Sequence, residues 1–356
     1  MNSQKLSLDG AYVEITAKCN LHCPYCYNDS CMGKYELNVD VIKRIVDELE
    51  KRKKYAIAIS GGEPFLHPNI DEIIDYCIKK KVRPNIITNL TQLNDSKILD
   101  LLQKDIAFQI TFDGHCEEIH SLTRGKNVFI KNINFIEKAI QINKLDNITI
   151  RYNVHKLNYQ YFENFICLMK KYNVKEIYIS FIKNIGRCKS WNYVFDNRND
   201  ALLINDIIKS FDEISKKYQD IKLNYGNPSE SLGCVFYSDE TINCVPRIDY
   251  KGNTYLCQLF DGDDNILGNV CKNKLEDILA SKEADRALNE IHKRKNNRNE
   301  ECNTCPFKSY CLGGCPALIY QSNSNLLNND GQCYLIKYFT KNKLIEVLNG
   351  GRNKVV

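Results

Sequence analysis

The sequence predicts an α/β fold: a partial (β/α)6, TIM-like barrel followed by a small cysteine-rich domain. Three observations predict it. Six short apolar, β-branched runs alternate with amphipathic segments between residues 11 and about 220, and such alternation implies a parallel sheet built from right-handed crossovers. The polar and cysteine motifs each follow a strand, which is where sites form in such barrels. Beyond about residue 220 helical patterns thin out, turns such as "KGN" at 251–253 enter, and cysteines cluster again.

In chain order the strands are "AYVEIT" (11–16), "AIAIS" (56–60), "NIIT" (85–88), "FQITF" (108–112), "ITIRYNV" (148–154) and "IYISFI" (177–182). In the first helix Val39, Ile42, Ile45, Val46 and Leu49 recur at helical spacing. "KRKK" at 51–54 closes it, where cations suit the negative end of the helix dipole. The expected barrel spans 8–220, the second domain 221–340, and a short tail helix 341–356.

Composition narrows the function. The chain has 356 residues, of which 43% are hydrophobic, enough for sizeable cores rather than disorder. The net charge of +5 is modest, and "KRKK" and "KRKNNR" (293–298) lack the interleaved aromatics of a nucleic-acid face. The N-terminus is polar, and no run of about 18 apolar residues suggests a membrane span. The expected location is therefore cytoplasmic, with neither nucleic acid nor membrane as partner. Seventeen cysteines in a compartment that keeps thiols reduced point to metal or catalysis rather than disulfides.

"CNLHCPYC" places Cys19, Cys23 and Cys26 directly after the first strand. A structural zinc site wants a fourth ligand nearby. Three thiolates suit a 4Fe–4S cluster with one iron left open. CxxxCxxC after the first strand, in register with GGEP (61–64) after the second, resembles the radical S-adenosylmethionine (SAM) enzymes. The resemblance implies an oxygen-sensitive enzyme whose open iron chelates SAM and whose cluster cleaves it reductively to a 5′-deoxyadenosyl radical. It places Tyr25 and Ile182 against adenine, Gly61, Gly62 and Glu63 at the methionine amino group, Thr111 at the ribose and Arg124 at the carboxylate.

"ECNTCPFKSYCLGGCPA" supplies Cys302, Cys305, Cys311 and Cys315, with Cys333 further on and Cys257 upstream in "GNTYLC". Alone, four close cysteines fit zinc as well as iron–sulfur. With the barrel, they resemble the SPASM extension and its two auxiliary 4Fe–4S clusters. The resemblance assigns Cys302, Cys305, Cys311 and Cys333 to one. Cys257 and Cys315 help hold the other, with Cys234, Cys244 or both. Cys244 stands closer to Gly252, and Cys234 farther from it, than the family spacing.

Other residues have plainer readings. Asp113 and Gly114 suit either a turn or the site at the end of the fourth strand, Arg151 either a surface position or the site from the fifth, and His22, His115 and His120 hydrogen-bonding or loop roles. Cys31, Cys77, Cys116, Cys167, Cys188 and Cys271 match no motif and suit small buried apolar positions. Cys188 alone stands where it could face the site.

Auxiliary clusters give an electron a way out and so favour a net oxidation. The resemblance implies a maturase that oxidises a peptide side chain, forming a thioether or carbon–carbon cross-link. It also allows a formylglycine-forming sulfatase maturase, though Gln258 stands where those enzymes carry Asp. A haem-pathway decarboxylase is a further alternative, and a zinc-stabilised binding module the non-enzyme one. The implied partners are a peptide or protein substrate and a reductant such as flavodoxin or ferredoxin. With only 18 residues before Cys19, a peptide substrate would need a separate leader-peptide carrier or direct contacts with the barrel. No general acid or base is identified.

Overall fold

The computed structural model describes residues 6–30, 33–196, 199–226, 234–238, 240–311 and 313–323, with positions 333, 337, 338 and 341. After a short β1 (Leu6–Leu8), the strands β2 (Ala11–Glu14), β3 (Ala56–Ser60), β4 (Arg83–Ile87), β5 (Ala107–Phe112), β6 (Ile148–Val154), β7 (Glu176–Phe181) and β8 (Lys222–Gly226) pair in sequence order. All of these pairings are parallel. Helices α1 (Val39–Lys51), α2 (Ile70–Lys79), α3 (Asp95–Gln103), α4 (Glu117–Arg124), α5 (Val128–Gln141), α6 (Phe162–Lys171) and α7 (Ala201–Lys217) form the crossovers.

All six expected strands form. The expected barrel end at 220 is too early, because β8 continues the parallel sheet beside β7, with Glu176 opposite Lys222 and Ser180 opposite Gly226. Its sequence, KLNYG, has no β-branched residue, which is why the pattern missed it. The expected helix at 341–356 lies outside the described residues, Lys341 excepted.

The strands are two-faced. On β5 and β6, Phe108, Ile110, Phe112, Ile150, Tyr152 and Val154 are buried. They meet the helices: the Phe108 and Phe135 rings lie 5.1 Å apart and those of Tyr152 and Phe165 4.5 Å. Alternation then turns Gln109, Thr111, Arg151, Asn153, Tyr178 and Ser180 to the inner face. A closed eight-stranded barrel fills its interior with branched apolar side chains. Here the inner face is polar and, Thr111 excepted, half-exposed.

The second domain is not separate from this sheet. β9 (Ile242–Cys244) pairs with β1, and β10 (Arg247–Ile248) runs parallel to β2. β11 (Asn253–Tyr255) and β12 (Gly268–Asn269) extend the same sheet antiparallel. The sheet therefore runs from β12 to β8 without closing. α8 (Leu275–Leu279), α9 (Lys282–Asn296), α10 (Glu300–Asn303), α11 (Lys308–Cys311) and α12 (Pro316–Asn323) follow.

Side-chain contacts add to these strand pairings in holding the halves together. The Glu48 carboxylate on α1 accepts from the Leu275 and Glu276 amides at 3.1 and 3.0 Å, capping the start of α8. Arg247 on β10 donates to both carboxylate oxygens of Glu14 on β2, at 2.8 and 3.1 Å, with both residues buried. Arg247 also donates to the Phe260 carbonyl at 2.7 Å and lies over the Tyr255 ring. Among the described residues no helix is long and apolar enough to cross a membrane.

Removing one partner of a buried ion pair strands the other charge and costs about 3–5 kcal/mol. Arg247→Met should therefore lower unfolding stability by about that amount, and Glu14→Leu/Arg247→Met should recover most of it. Urea unfolding of the three proteins measures both.

Candidate active site

The site stands at the carboxyl ends of β2 to β7. The cysteine loop after β2 has little regular structure of its own, so neighbours hold it. At its stem, the Gly62 amide donates to the Thr16 carbonyl and the Glu63 amide to the Lys18 carbonyl, both at 2.7 Å. A Cβ on Gly62 would lie 1.9 Å from the Lys18 oxygen, and one on Gly61 (φ +134°) 2.4 Å from the Thr16 oxygen. The two glycines are therefore required by the chain itself.

At the loop's far end, Arg187 donates to the Cys23 carbonyl at 2.8 Å, the Ser30 carbonyl at 2.6 Å and the Asp29 carboxylate at 3.0 Å. Its amide donates to the Cys26 carbonyl at 3.0 Å. Gly186 (φ +60°) allows this approach, since a Cβ there would meet the Tyr27 oxygen at 2.3 Å. The sequence reading passed over both residues. A Gly-Arg pair just beyond the sixth strand was the available signal.

Glu63 is buried and collects three donors: the Thr88 hydroxyl and Asn89 amide, each at 2.7 Å, and the Phe65 amide at 3.2 Å. Burial outweighs them and pushes its pKa up to about 7.

Tyr25, Asp113, Thr123 and Arg124 form one buried network. Tyr25 and Thr123 donate to the same Asp113 oxygen, the latter at 2.6 Å, and Arg124 Nε donates to the Tyr25 hydroxyl at 3.1 Å. Burial holds the Tyr25 phenol protonated. Asp113 is thus more than a turn residue, and its other carboxylate oxygen is buried without a partner. Among the described residues the terminal nitrogens of Arg124 make no hydrogen bond, leaving that end of the fork for a ligand.

Thr111 is buried on β5 beside Arg151 on β6. Ile182 is half-buried just beyond β7. Arg151 is not a surface residue. It faces inward among Tyr12, Tyr27 and Tyr178, with Gln109 Oε1 at 3.4 Å and a buried Nε that has no partner. Burial depresses His120 and His155 to about 4, so both are neutral at pH 7. Cys188 is buried, and Cys31 lies outside the described residues.

The cysteines fall into three groups. Cys19, Cys23 and Cys26 lie within electrostatic reach of one another on the first loop. Cys257 is within reach of Cys234, Cys244 and Cys315. Cys302, Cys305, Cys311 and Cys333 line one cavity together with Gly313. Cys315 precedes Pro316 at the start of α12. Among the described residues no three His, Cys, Asp or Glu side chains converge on a point as a single metal ion requires. The third group lines a cavity, room that a multi-iron cluster would use.

Burial pushes Cys19 to about 11 and Cys234, Cys244 and Cys315 to about 12. Buried Cys77 and Cys188 are pushed equally far, so the shift marks burial and not ligation. It does mean that metal loading must displace protons from these thiols.

An open parallel barrel with a three-cysteine loop at its mouth is an architecture suited to an iron–sulfur cluster with one open metal position. Residues 13–180 match the sequence profile of the Radical SAM superfamily, and residues 242–306 that of SPASM, an iron-sulfur cluster-binding domain. The chain belongs to the radical SAM superfamily and carries a SPASM domain. The first domain binds SAM and a 4Fe–4S cluster, and the second binds auxiliary iron–sulfur clusters.

Mycofactocin maturase MftC of Mycolicibacterium smegmatis is 25% identical over 332 residues, 90% of this chain and 81% of that one. The AdoMet-dependent heme synthase of Methanosarcina barkeri is 24% identical over 345 residues, 90% and 94% of the two chains. The structure of anSMEcpe with bound AdoMet and Cp18Cys peptide superposes with a TM-score of 0.75 at 17% identity, over 96% of this chain and 99% of that one.

Glu63 gives a pH test. A carboxyl whose folded pKa is raised from 4.5 to about 7 holds its proton more tightly when folded. Its contribution to stability is full below about pH 4.5 and lost as pH rises through about 7. Between about pH 5 and 9 the metal-free, SAM-free protein should lose about 3 kcal/mol that Glu63→Gln does not lose. Urea midpoints of the two proteins across that range check it.

Proposed function

We propose that this enzyme oxidises a peptide side chain, closing a thioether or carbon–carbon cross-link. The carrying observation is the gathering of eleven cysteines into groups of three, four and four. Three thiolates leave a metal position for SAM, while two closed four-cysteine groups have none to offer a substrate and suit electron transfer. With Cys234 and Cys244 both beside Cys257, both are assigned to the first auxiliary cluster, and Cys302, Cys305, Cys311 and Cys333 to the second. A substrate that gives up electrons needs such acceptors. The MftC relative supports maturation, and the peptide bound to anSMEcpe supports a peptide substrate.

When bound, SAM and its cluster supply a 5′-deoxyadenosyl radical able to take a hydrogen atom from the substrate. The chain's residues bind, orient and shield. Glu63 would accept from the methionine ammonium beside Gly61 and Gly62. Arg124, fixed through Nε, would offer its terminal nitrogens to the carboxylate. Thr111 would meet the ribose, and Tyr25 and Ile182 the adenine. A flavodoxin or ferredoxin would supply the initiating electron in a cytoplasmic, oxygen-poor setting, and a separate carrier would present the peptide leader.

The formylglycine reading loses its base. Gln258 follows Cys257, and Asp261 is engaged with Arg247 at 3.2 Å. A second reading, oxidation of a tetrapyrrole, is favoured by one feature: the inward-facing Arg151, whose buried Nε has no partner, suits a propionate. The heme synthase relative agrees with it.

Anaerobically reconstituted protein should hold about twelve irons, falling to about eight in Cys19→Ala/Cys23→Ala/Cys26→Ala. That variant should form no 5′-deoxyadenosine under dithionite. Arg124→Lys should weaken SAM binding about tenfold or more, by losing the bidentate fork. Mass spectrometry of supplied substrates then separates the readings. Loss of two hydrogens from a precursor peptide supports maturation, whereas loss of carbon dioxide from a porphyrin alone would replace it.

A further inference from the structure

Arg294 on α9 is the largest fully buried side chain among the described residues. Its Nη2 donates to the Gly313 carbonyl, and its Nε to the Tyr237 hydroxyl at 3.2 Å. Its Nη1 is buried and has no partner. Among the described residues no carboxylate pairs with it. A guanidinium out of water without a counter-charge is strongly unfavourable, and such cations are found paired or beside a bound anion. Among the described residues no side chain supplies the negative charge that would answer it.

Its surroundings point to that charge. Gly313, which accepts from Arg294, lines the cavity formed by Cys302, Cys305, Cys311 and Cys333. A Cβ on Gly313 would sit 2.6 Å from Nη2, so the guanidinium is packed directly against this turn. Cys302 lies within its electrostatic reach. On the other side, Tyr237 donates to the Gly314 carbonyl at 3.1 Å and lies within reach of Cys234 and Cys315. A metal centre is bound by thiolates, so a loaded group of four cysteines carries negative charge beside Arg294.

We propose that Arg294 is the fixed counter-charge of the metal centre held by Cys302, Cys305, Cys311 and Cys333, and that it raises that centre's reduction potential. Uptake of one electron adds one negative charge to the cluster. A positive charge fixed in a low-dielectric shell stabilises the more negative state. Arg298 and Lys308 also border the cavity, but water reaches both and screens them. Arg294 acts through the cluster and is a positioning residue. The inference rests on the iron–sulfur reading of this group and not on the identity of the substrate.

The test uses the full chain with Cys19, Cys23 and Cys26 replaced by Ala, so that only the auxiliary centres respond. Wild-type Arg294, Arg294→Gln and Arg294→Lys are reconstituted anaerobically and titrated with dithionite, with reduction followed by electron paramagnetic resonance. In Arg294→Gln, one of the two centres should become at least tenfold harder to reduce, about 59 mV for one electron. Arg294→Lys should keep iron content and stay within threefold of the parent. Unshifted potentials in Arg294→Gln with iron retained would overturn the proposal. Should Arg294→Gln fail to load, Arg294→Lys decides alone, and failure of this charge-keeping variant to load overturns it too. Zinc instead of iron at the group would also overturn it. No substrate is present, so failure of the peptide reading leaves the result untouched.

Discussion

The constraint on which this structure depends is that three cysteines must be held in place on a loop with little regular structure. Backbone fixes one end of it. Gly61 and Gly62 bring the turn after β3 against Thr16 and Lys18 so closely that no side chain fits between. Arg187 fixes the other end by binding carbonyls at Cys23 and Ser30 and the carboxylate of Asp29. These contacts span the sheet from its second strand to beyond its seventh. The parallel order of the strands therefore determines where the thiols stand.

That geometry explains the polar interior. A fully closed barrel has room only for packed side chains. Here the ladder stops at β8, and the inward positions of β5 to β7 carry Gln, Thr, Arg, Asn, Tyr and Ser. Hydrophobic stabilisation comes instead from the outer face, where aromatic residues of β5 and β6 pack on α5 and α6. The interior is left for binding. Arg151, with a buried nitrogen unpartnered, marks where it has kept an unmet demand for an acceptor.

The sequence made the strands and cysteine motifs legible because both are local signals. β-branched runs define a buried strand without reference to any partner, and CxxxCxxC is contained in eight residues. β8 was missed because KLNYG owes its strand state to pairing with β7, a tertiary cause. Arg187 and Arg247 were missed for the same reason. Each acts on a residue more than 150 positions away in sequence, and only the Gly186-Arg187 pair leaves a local sign of it. The grouping of Cys234 with Cys244 was undecidable from spacing, because the chain between them includes the 235–237 turn and β9, which set the approach.

The join between the halves follows from chemistry as well as packing. Had the C-terminal cysteines belonged to an independent module, a flexible linker would serve. Instead β10 is hydrogen-bonded into the barrel sheet, and its Arg247 neutralises the buried Glu14 beneath the mouth. Cys244, at the end of β9, takes its position from pairing with β1, which leads directly into β2. The strand that delivers the first cysteine loop and the strand that delivers a cysteine of the second group are thus linked through one short segment of chain. Any shift in the sheet's edge would move both groups together.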